Sequence, residues 1–300
     1  MRVAVLMGGI SSEREVSLNT GAQVSGALRE AGFDVKEIVV TEDLGALLAA
    51  LTPRPDVVFN ALHGRFGEDG TIQGVLDYIG LPYTHSGVRA SALAMDKGAA
   101  KAVFAAAGLP IAPHKIIDIA ELLEHDPLPP PYVVKPVNEG SSVGVSIIKQ
   151  GDNHRAEIAA NWQFGPAMVE QYIPGRELTV GVLEDRALTV TEILPTEKFY
   201  DYHAKYAAGG SRHELPAQVP ADIAKSAKEI AVAAHKALGC RGASRADLRY
   251  DEETGRLILL EVNTQPGMTA TSLLPEQAAH EGMDFPALCA WMVERASCRV

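Results

Sequence analysis

The sequence predicts an α/β and α+β protein in which a parallel sheet is followed by antiparallel sheets. Over the first ninety or so residues, apolar strand segments alternate with helix segments, which is typical of a parallel sheet with helices on both faces. Beyond the proline-rich loop at 127–131, short apolar strands separated by tight turns predict antiparallel sheet. A chain of 300 residues is long enough for two or three lobes with buried cores.

Three strand–helix units make up the first part of the chain. Each strand is a short apolar run, and the first helix repeats side chains at helical spacing from Val16 to Leu28. Sites in parallel sheets form at the carboxyl ends of the strands, where Gly8-Gly9 and His63-Gly64 stand. The strands are predicted at 3–7, 35–40 and 56–62, and the helices at 16–28, 44–51 and 72–79.

The remainder of the chain is predicted to form one long helix, a series of short strands and two further helices. The long helix covers about 90–107 and ends at Gly108-Leu109-Pro110. Segment 196–216 has no clear period, and a loop of that length in a compact domain is usually functional or disordered. The strands are predicted at 132–135, 143–148, 167–172, 177–183 and 187–194, and the helices at 221–238 and about 284–296.

Composition narrows the classes of partner. A net charge of −11 argues against a nucleic-acid or anionic-membrane partner, and no apolar run approaches membrane-spanning length. The three cysteines, Cys240, Cys289 and Cys298, form neither a metal-ligand pattern nor a disulfide framework. We therefore expect a cytoplasmic protein without nucleic-acid or membrane partners.

The most informative polar residues follow the apolar run at 257–260. Glu261 and Asn263 stand two residues apart, so in a strand they point to the same side. If this run forms a hairpin with 243–248, Asp247 lies roughly opposite Glu261, within a residue or two of register. Three oxygen ligands suit a hard cation such as Mg²⁺, which usually needs phosphate oxygens as well. The hairpin therefore predicts nucleotide chemistry.

Two lysines are candidates for phosphate binding, and each has an ordinary alternative. Lys135 ends an apolar strand beside the glycine- and serine-containing segment 136–144, whose backbone N–H groups can also bind phosphate. A surface lysine before a turn fits the same residues equally well. For Lys97, with Lys101 one turn later, the sequence alone favours a solvated helix face. The P-loop pattern GxxxxGK[ST] does not occur in the chain.

Two residues near strand ends of the first domain also have competing interpretations. Glu15 stands three residues after Ser12, which is a capping-box pattern, but its carboxylate is also placed to bind a substrate ammonium. His63 follows an apolar strand. A histidine at that position is either a structural residue or a residue of a functional site.

Two later features have similar alternatives. The loop at 200–206 contains three tyrosines and one lysine, and is either a surface loop or a lid that excludes water. Arg245 stands two residues before Asp247 and faces the same side, where an arginine can stabilise negative charge developing near a triphosphate.

Eight segments lie in order along nearly the whole chain: MGGISSEREVSL (7–18), ALHG (61–64), MDK (95–97), VKP (134–136), EGSSVG (139–144), YDY (200–202), AKY (204–206) and EVNT (261–264). Together they resemble the D-alanine–D-alanine ligases, a family of the ATP-grasp superfamily. The first and last segments are specific to that family, whereas the Lys135 strand and the metal hairpin are general to the superfamily.

The resemblance implies a three-part architecture. An N-terminal, Rossmann-like α/β substrate domain would span 1–95. An ATP-grasp fold of two lobes would follow, the central lobe at 96–178 and the C-terminal lobe at 179–300, with ATP between two antiparallel sheets.

The resemblance also implies the residues that bind ATP and metal. Lys97, Lys135 and Lys205 would contact phosphates. Glu170 and Ile173 would hold the adenine, Gln171 would contribute through its backbone, and Glu177 would hold the ribose. Two Mg²⁺ or Mn²⁺ ions would be bound by Asp247, Glu261 and Asn263.

Substrate roles follow from the same resemblance. Glu15 would bind the ammonium of a first D-alanine, and His63 would lie near its carboxylate. Arg245 and the Gly267 N–H would polarise that carboxylate and later hold the tetrahedral oxyanion. The carboxylate of a second D-alanine would be received by Ser272 and Leu273. A hydrogen-bonded set holding the lid would consist of Tyr206, Ser141 and Glu15.

The implied activity is ATP-dependent condensation of two D-alanines through an acyl phosphate, for peptidoglycan synthesis, by a cytoplasmic homodimer. The alternatives are a D-alanine–D-lactate ligase, another ATP-grasp carboxylate–amine ligase, and a catalytically silent nucleotide sensor. Lys205-Tyr206 favours a dipeptide product. The chain departs from the family pattern at three positions, namely Gln171 where lysine is common, His203 where an acid is frequent and Gln265 where serine is common.

Overall fold

The computed structural model describes residues 1–140, 143–195 and 211–299. Its helices are α1 (Arg14–Glu30), α2 (Leu44–Ala50), α3 (Thr71–Ile79), α4 (Val88–Met95), α5 (Lys97–Ala106), α6 (Glu121–Glu124), α7 (Arg155–Ala160), α8 (Ala221–Leu238), α9 (Leu273–His280) and α10 (Phe285–Glu294). Its strands are β1 (Arg2–Gly8), β2 (Asp34–Val40), β3 (Val57–Asn60), β4 (His114–Ile117), β5 (Tyr132–Pro136), β6 (Ser146–Ile148), β7 (Ala167–Gln171), β8 (Arg176–Leu183), β9 (Arg186–Ala187), β10 (Thr191–Pro195), β11 (Ser211–Glu214), β12 (Ala243–Asp251) and β13 (Arg256–Asn263).

The first three strands form the predicted parallel sheet, in the order β2-β1-β3. β1 is central and is buried from its second residue onward. On one face, Val5 belongs to a core that includes Val24 and Leu28 of α1. On the other face, Leu6 belongs to a core that includes Leu47 of α2 and Leu76 of α3. The prediction of helices on both faces is therefore confirmed.

The long helix predicted at 90–107 is interrupted at Asp96. This residue has an extended backbone, with φ −90° and ψ 102°, and its carboxylate accepts a 2.9 Å hydrogen bond from the Ala99 N–H. Aspartate stabilises a helix start because its side chain satisfies an N–H that has no partner within the helix. One helix therefore becomes α4 and α5, and Lys97 stands in the first turn of α5.

Two antiparallel sheets follow the first domain. The central sheet has the order β4-β7-β5-β6, and the larger sheet has the order β11-β10-β8-β12-β13, with β9 paired to β8. The predicted strand at 143–148 is shorter, since β6 begins at Ser146, and the one predicted at 187–194 is divided between β9 and β10. The antiparallel class is confirmed for both sheets. No observation tests the domain limits at 95/96 and 178/179, which remain predictions.

Part of the segment predicted as a loop, 196–216, is a strand. Residues 211–214 form β11, which pairs with β10 in register Glu192↔Glu214. Residues 196–210 lie outside the described part of the chain.

The last helix returns to the first domain. Leu288, Met292 and Val293 of α10 belong to the same core as Val3 and Val24. The chain between β13 and α9 consequently runs from the large antiparallel sheet toward the parallel one. Of the helices in the three described ranges, none is long and apolar enough to span a membrane.

Candidate active site

The hairpin of β12 and β13 brings four polar side chains together. Asp247 pairs directly with Glu261, and Arg245 pairs with Asn263. The register shifts immediately after Asp247, so the apolar part of the hairpin follows a different alignment from its polar end. The predicted opposition of Asp247 and Glu261, made to within a residue or two of register, is therefore confirmed.

Asp247 accepts hydrogen bonds from the side chains of Arg245, Asn263 and Thr179. Arg245 donates from Nε to Oδ1 at 2.9 Å and from Nη2 to Oδ2 at 2.8 Å. Asn263 donates from Nδ2 to Oδ2 at 3.0 Å, and the buried Thr179 donates from Oγ1 to Oδ1 at 2.6 Å. Such donors stabilise the ionised carboxylate and determine its orientation.

The donor chemistry of the hairpin suits Mg²⁺ or Mn²⁺. Glu261 and Asn263 are half-buried on the same side as Asp247, and only oxygen atoms of these three side chains are offered to a cation. Because Asn263 turns Nδ2 toward Asp247, its Oδ1 remains an acceptor. In the described ranges no cluster of three or more His, Cys, Asp or Glu could hold a metal. Two carboxylates and an amide therefore need phosphate oxygens to complete a coordination shell.

A second charged cluster lies in the central sheet. Glu170 of β7 contacts Lys135 Nζ of β5 at 2.5 Å through Oε2 and forms an ion pair with Lys101 of α5 through Oε1. Lys101 is only 1% exposed. Burial alone would raise the pKa of Glu170, but Lys135 and Lys101 outweigh it and hold that pKa below its ordinary value. Two ammonium groups and one carboxylate leave a net positive charge, which favours phosphate.

The sequence alone favoured a solvated helix face for Lys101, and this is wrong, because the lysine is buried. Burial lowers the pKa of its ammonium, while Glu170 and, more weakly, Glu261 oppose that shift. The lysine is therefore within electrostatic range of the hairpin as well as the central sheet. Its neighbours in the helical repeat, Ala100 and Phe104, are buried, and this apolar face is the signal that could have identified it.

The other residues predicted to bind ATP are distributed around these two clusters. Lys97 donates to the Glu139 carbonyl. Ile173 is buried and its carbonyl accepts from Arg249 Nε at 3.2 Å, while Arg249 Nη1 lies 3.4 Å from a Glu177 oxygen. These contacts join the β7–β8 connection to β12.

Two of the remaining ATP residues need separate comment. Gln171 is half-buried at the end of β7. Both oxygens of the Glu170 carboxylate contact lysines, so the predicted contact between Glu170 and adenine would come from the Glu170 backbone. Lys205 lies outside the described residues.

His63 is enclosed between α1 and the loop after β3. Its Nε2 lies 3.0 Å from Thr20 Oγ1, and its Nδ1 lies 3.0 Å from Glu68 Oε1. Its carbonyl accepts a 2.6 Å hydrogen bond from Ser11 Oγ. With both ring nitrogens paired and 6% exposure, the imidazole can position neighbouring groups.

Glu15 and Glu13 have opposite environments. The Glu15 side chain is 85% exposed and lies 3.3 Å from Arg14. Glu13 is 9% exposed, and a Cβ on Gly64 would lie 2.7 Å from its Oε2. Gly64 has φ +70°, so both the conformation and this close approach favour glycine. The substrate role of Glu15 remains a prediction, but Glu13 has the burial that such a role needs.

The expected capping box at the start of α1 is absent. The helix begins at Arg14, and its N-cap residue Glu13 makes no side-chain cap hydrogen bond. Ser11 Oγ instead accepts from the Glu13 N–H at 3.2 Å. The turn before α1 therefore connects to the His63 loop through Ser11.

Gly267 and Ser272 approach each other in the segment before α9. A Cβ on Gly267 would lie 3.0 Å from Ser272 Oγ, which accepts from the Thr269 N–H at 3.1 Å. Ser272 is the N-cap residue of α9, and the buried Leu273 begins that helix. The predicted lid at 200–206, with Tyr206, and the predicted lid contact Ser141 lie outside the described residues.

A parallel α/β domain followed by two antiparallel sheets, with a lysine–carboxylate cluster at one and a carboxylate hairpin in the other, defines an ATP-grasp protein. Residues 103–294 match the family model "D-ala D-ala ligase C-terminus", and residues 45–86 match "D-ala D-ala ligase N-terminus". The chain belongs to the D-alanine–D-alanine ligase family.

Individual relatives agree along the full length. The chain is 74% identical to the D-alanine–D-alanine ligase of Acidiphilium cryptum, covering 100% of this chain and 99% of the relative. It is 61% identical to that of Gluconobacter oxydans, covering 100% of both.

Solved structures of the Bacillus anthracis D-alanine–D-alanine ligase resemble the fold closely. One has a TM-score of 0.86 at 32% identity, covering 98% of this chain and 97% of that one. A second, complexed with ATP, has a TM-score of 0.81 at 28% identity with the same coverage.

Proposed function

We propose that the protein joins two D-alanines into D-alanyl-D-alanine, with ATP converted to ADP and phosphate, as a step in peptidoglycan synthesis. The observation that carries this proposal is the pairing of Asp247 with Glu261 beside Arg245, in a chain of this family. A carboxylate is a poor acyl donor, and transfer of the γ-phosphoryl group converts it to an acyl phosphate.

The cationic residues would bind the phosphates of ATP. Lys135 and the net charge of its cluster with Glu170 and Lys101 would hold the phosphates, aided by Lys97 and by Lys205. Ile173, Gln171 and the Glu170 backbone would receive the adenine, and Glu177 the ribose. This placement would align the γ-phosphoryl group with the attacking carboxylate.

The hairpin would hold Mg²⁺ or Mn²⁺, with two ions as the expectation. Asp247, Glu261 and Asn263 supply oxygen donors on one side of β12 and β13. A divalent cation bound there would neutralise charge on the transferring phosphoryl group. The hydrogen bond from Thr179 keeps Asp247 in orientation.

The first D-alanine would lie between α1, the His63 loop and Gly267. A buried carboxylate binds an ammonium better than an exposed one, because solvent screens it less. We therefore favour Glu13 over Glu15 for the ammonium of the first substrate. His63, held through both ring nitrogens, would orient the neighbouring carboxylate.

Condensation follows activation. The amine of the second D-alanine attacks the acyl carbon, Arg245 and the Gly267 N–H stabilise the tetrahedral oxyanion, and phosphate leaves. Ser272 and Leu273 would receive the carboxylate of the second substrate. Acyl phosphates hydrolyse, so a lid over the site, with Tyr206 and Ser141, would protect the intermediate. We expect a cytoplasmic homodimer, on the family resemblance.

A coupled assay of ADP and phosphate release tests the function. D-Alanine should stimulate release, and L-alanine should not. D-Lactate supplied with D-alanine distinguishes a depsipeptide ligase, because a mixed product would then appear by mass spectrometry. Absence of D-alanine-stimulated ADP formation would falsify the proposal.

A further inference from the structure

Asn60 and Gln265 form a buried amide pair between the parallel-sheet domain and the segment that follows β13. Gln265 is 6% exposed, and its Oε1 accepts a 2.9 Å hydrogen bond from Asn60 Nδ2. Gln265 Nε2 donates to the Leu62 carbonyl. The two residues are 205 positions apart in sequence. The pair therefore joins the end of β3 to the segment that follows β13.

Each side-chain nitrogen and oxygen atom of the pair takes part in a hydrogen bond. Asn60, which is fully buried, donates a second Nδ2 proton to the Gly67 carbonyl at 3.0 Å and accepts from the Leu62 N–H at 3.2 Å through Oδ1. Burying a side-chain amide costs free energy unless its polar atoms form hydrogen bonds, as they do here. A satisfied network of this kind holds its partners at defined distances and orientations, which an apolar contact does not.

The pair lies between two parts of the proposed site. His63 follows Asn60 by three residues, and Gln265 stands between the hairpin residue Asn263 and Gly267. Leu62, bonded by both amides, is the residue next to His63. The hydrogen bonds therefore determine how far the Gly267 N–H lies from the His63 loop.

Residue 265 is also where the chain departs from the family pattern, in which serine is common. A serine hydroxyl is shorter than a glutamine amide by two bonds and has one donor, so it cannot reach both partners at this backbone position.

We infer that Asn60 and Gln265 are positioning residues that hold the Gly267 N–H in place relative to the first substrate. The inference rests on the proposed function. Neither amide is expected to touch substrate; both act through Leu62 and the 265–267 backbone. Loss of the pair should therefore weaken use of D-alanine while leaving the ATP site intact.

Steady-state kinetics of Gln265→Met and Gln265→Ser test this inference. Methionine preserves the length of the side chain and removes both hydrogen bonds. We expect the apparent KM for D-alanine to rise about tenfold and kcat to fall, since one or two hydrogen bonds are worth about that factor. The KM for ATP should stay within about twofold, which also reports that the variant is folded.

Tyr132→Phe is the matched control for lost stability. Tyr132 is buried in the central sheet, and its hydroxyl donates a 2.8 Å hydrogen bond to Asp126. This variant loses one part-buried hydrogen bond away from the amide pair. A rise in D-alanine KM for Gln265→Met but not for Tyr132→Phe supports positioning. Equal effects of the two variants, or no effect of either, would overturn it.

A double-mutant cycle with Asn60→Ala gives the second measurement. If the amides act as a unit, the double variant should have a D-alanine KM close to that of the worse single variant. Additive effects would contradict a shared role. A wild-type enzyme without D-alanine-stimulated ADP release would instead refute the proposed function, so the two failures are distinguishable.

Discussion

Asp247 and Glu261 are direct cross-strand partners at the point where the register of their hairpin shifts. The shift separates a polar end, which carries the ligand side chains, from an apolar end that packs in the core. Leu248 and Leu259, the pair that follows the shift, both lie in the core beneath α8. The hairpin thus anchors its ligands through buried leucines.

Replacing Glu261 by Gln should abolish turnover and preserve the fold. The amide keeps the shape of the side chain but removes a charge from the expected cation site, so activity should fall by about a hundredfold or more. ADP release at several Mg²⁺ concentrations measures the loss, and circular dichroism with thermal melting checks the fold. Full activity in Mg²⁺ would reject the metal assignment.

Replacing Thr179 by Val should weaken metal use without removing a ligand. The Thr179 hydroxyl donates to Asp247 at 2.6 Å, and loss of such a supporting contact typically costs about 10–100-fold in metal affinity or activity. The measurement is the Mg²⁺ concentration for half-maximal rate. Thr179→Ser retains the hydroxyl and should restore most of the wild-type behaviour. If the serine and valine variants behave alike, the hydroxyl has no such role.

Lys101→Met should destabilise the protein and raise the KM for ATP. It would leave Glu170 paired with Lys135 alone in a buried site, and breaking a buried ion pair costs about 3–5 kcal/mol. Urea unfolding measures the free energy, and ADP release measures the KM. Lys101→Arg keeps the charge and should lose less of both. Wild-type stability for Lys101→Met would exclude the ion pair as a structural element.

Glu13→Gln and Glu15→Gln should differ sharply. Glu13 is buried beside Gly64, whereas Glu15 is exposed beside Arg14. A hydrogen bond to a charged group contributes about 1.5–3 kcal/mol, so Glu13→Gln should raise the D-alanine KM on the order of tenfold to a hundredfold. Glu15→Gln should stay near wild type. The reverse ranking of the two KM values would restore Glu15 as the ammonium partner.

Stability should decline as the pH falls below about 6.5. Burial lowers the pKa of His85 to about 3 and that of His235 to about 4, so the unfolded chain binds protons that the folded chain excludes. Each histidine then removes up to about 1.4 kcal/mol per pH unit between its unfolded and folded pKa. Unfolding of His235→Gln in urea from pH 7 to pH 4 should show a shallower dependence. An unchanged slope would show that His235 does not contribute.

How far the sequence predicts the structure differs from element to element. The hairpin register was predictable to within a residue or two, because two strand segments joined by a short polar turn have few alignments that bury their apolar residues, but the shift after Asp247 was not predicted. The break at Asp96 was not, since the apolar period continues through it and only the cap contact to Ala99 reveals it.

The candidate site was likewise predictable only in part. Glu13 and Glu15 stand in one charged stretch, and only the fold determines which is buried. The ion pair of Lys101 with Glu170 could be identified only from the folded central sheet, because the two residues are 69 positions apart in the chain and no local pattern connects them. Contacts between distant segments are what the one-dimensional pattern lacks.

The contact of α10 with the parallel sheet has a consequence for synthesis on the ribosome. Leu288 and Met292 complete a core that also contains Val3 and Val24, which are translated long before them. Domains usually fold as soon as they emerge. Here the first domain has to wait for nearly all of the described chain before its apolar face is covered. Until then that face is exposed to chaperones and to other nascent chains, so a domain synthesised before the antiparallel sheets is finished only after them.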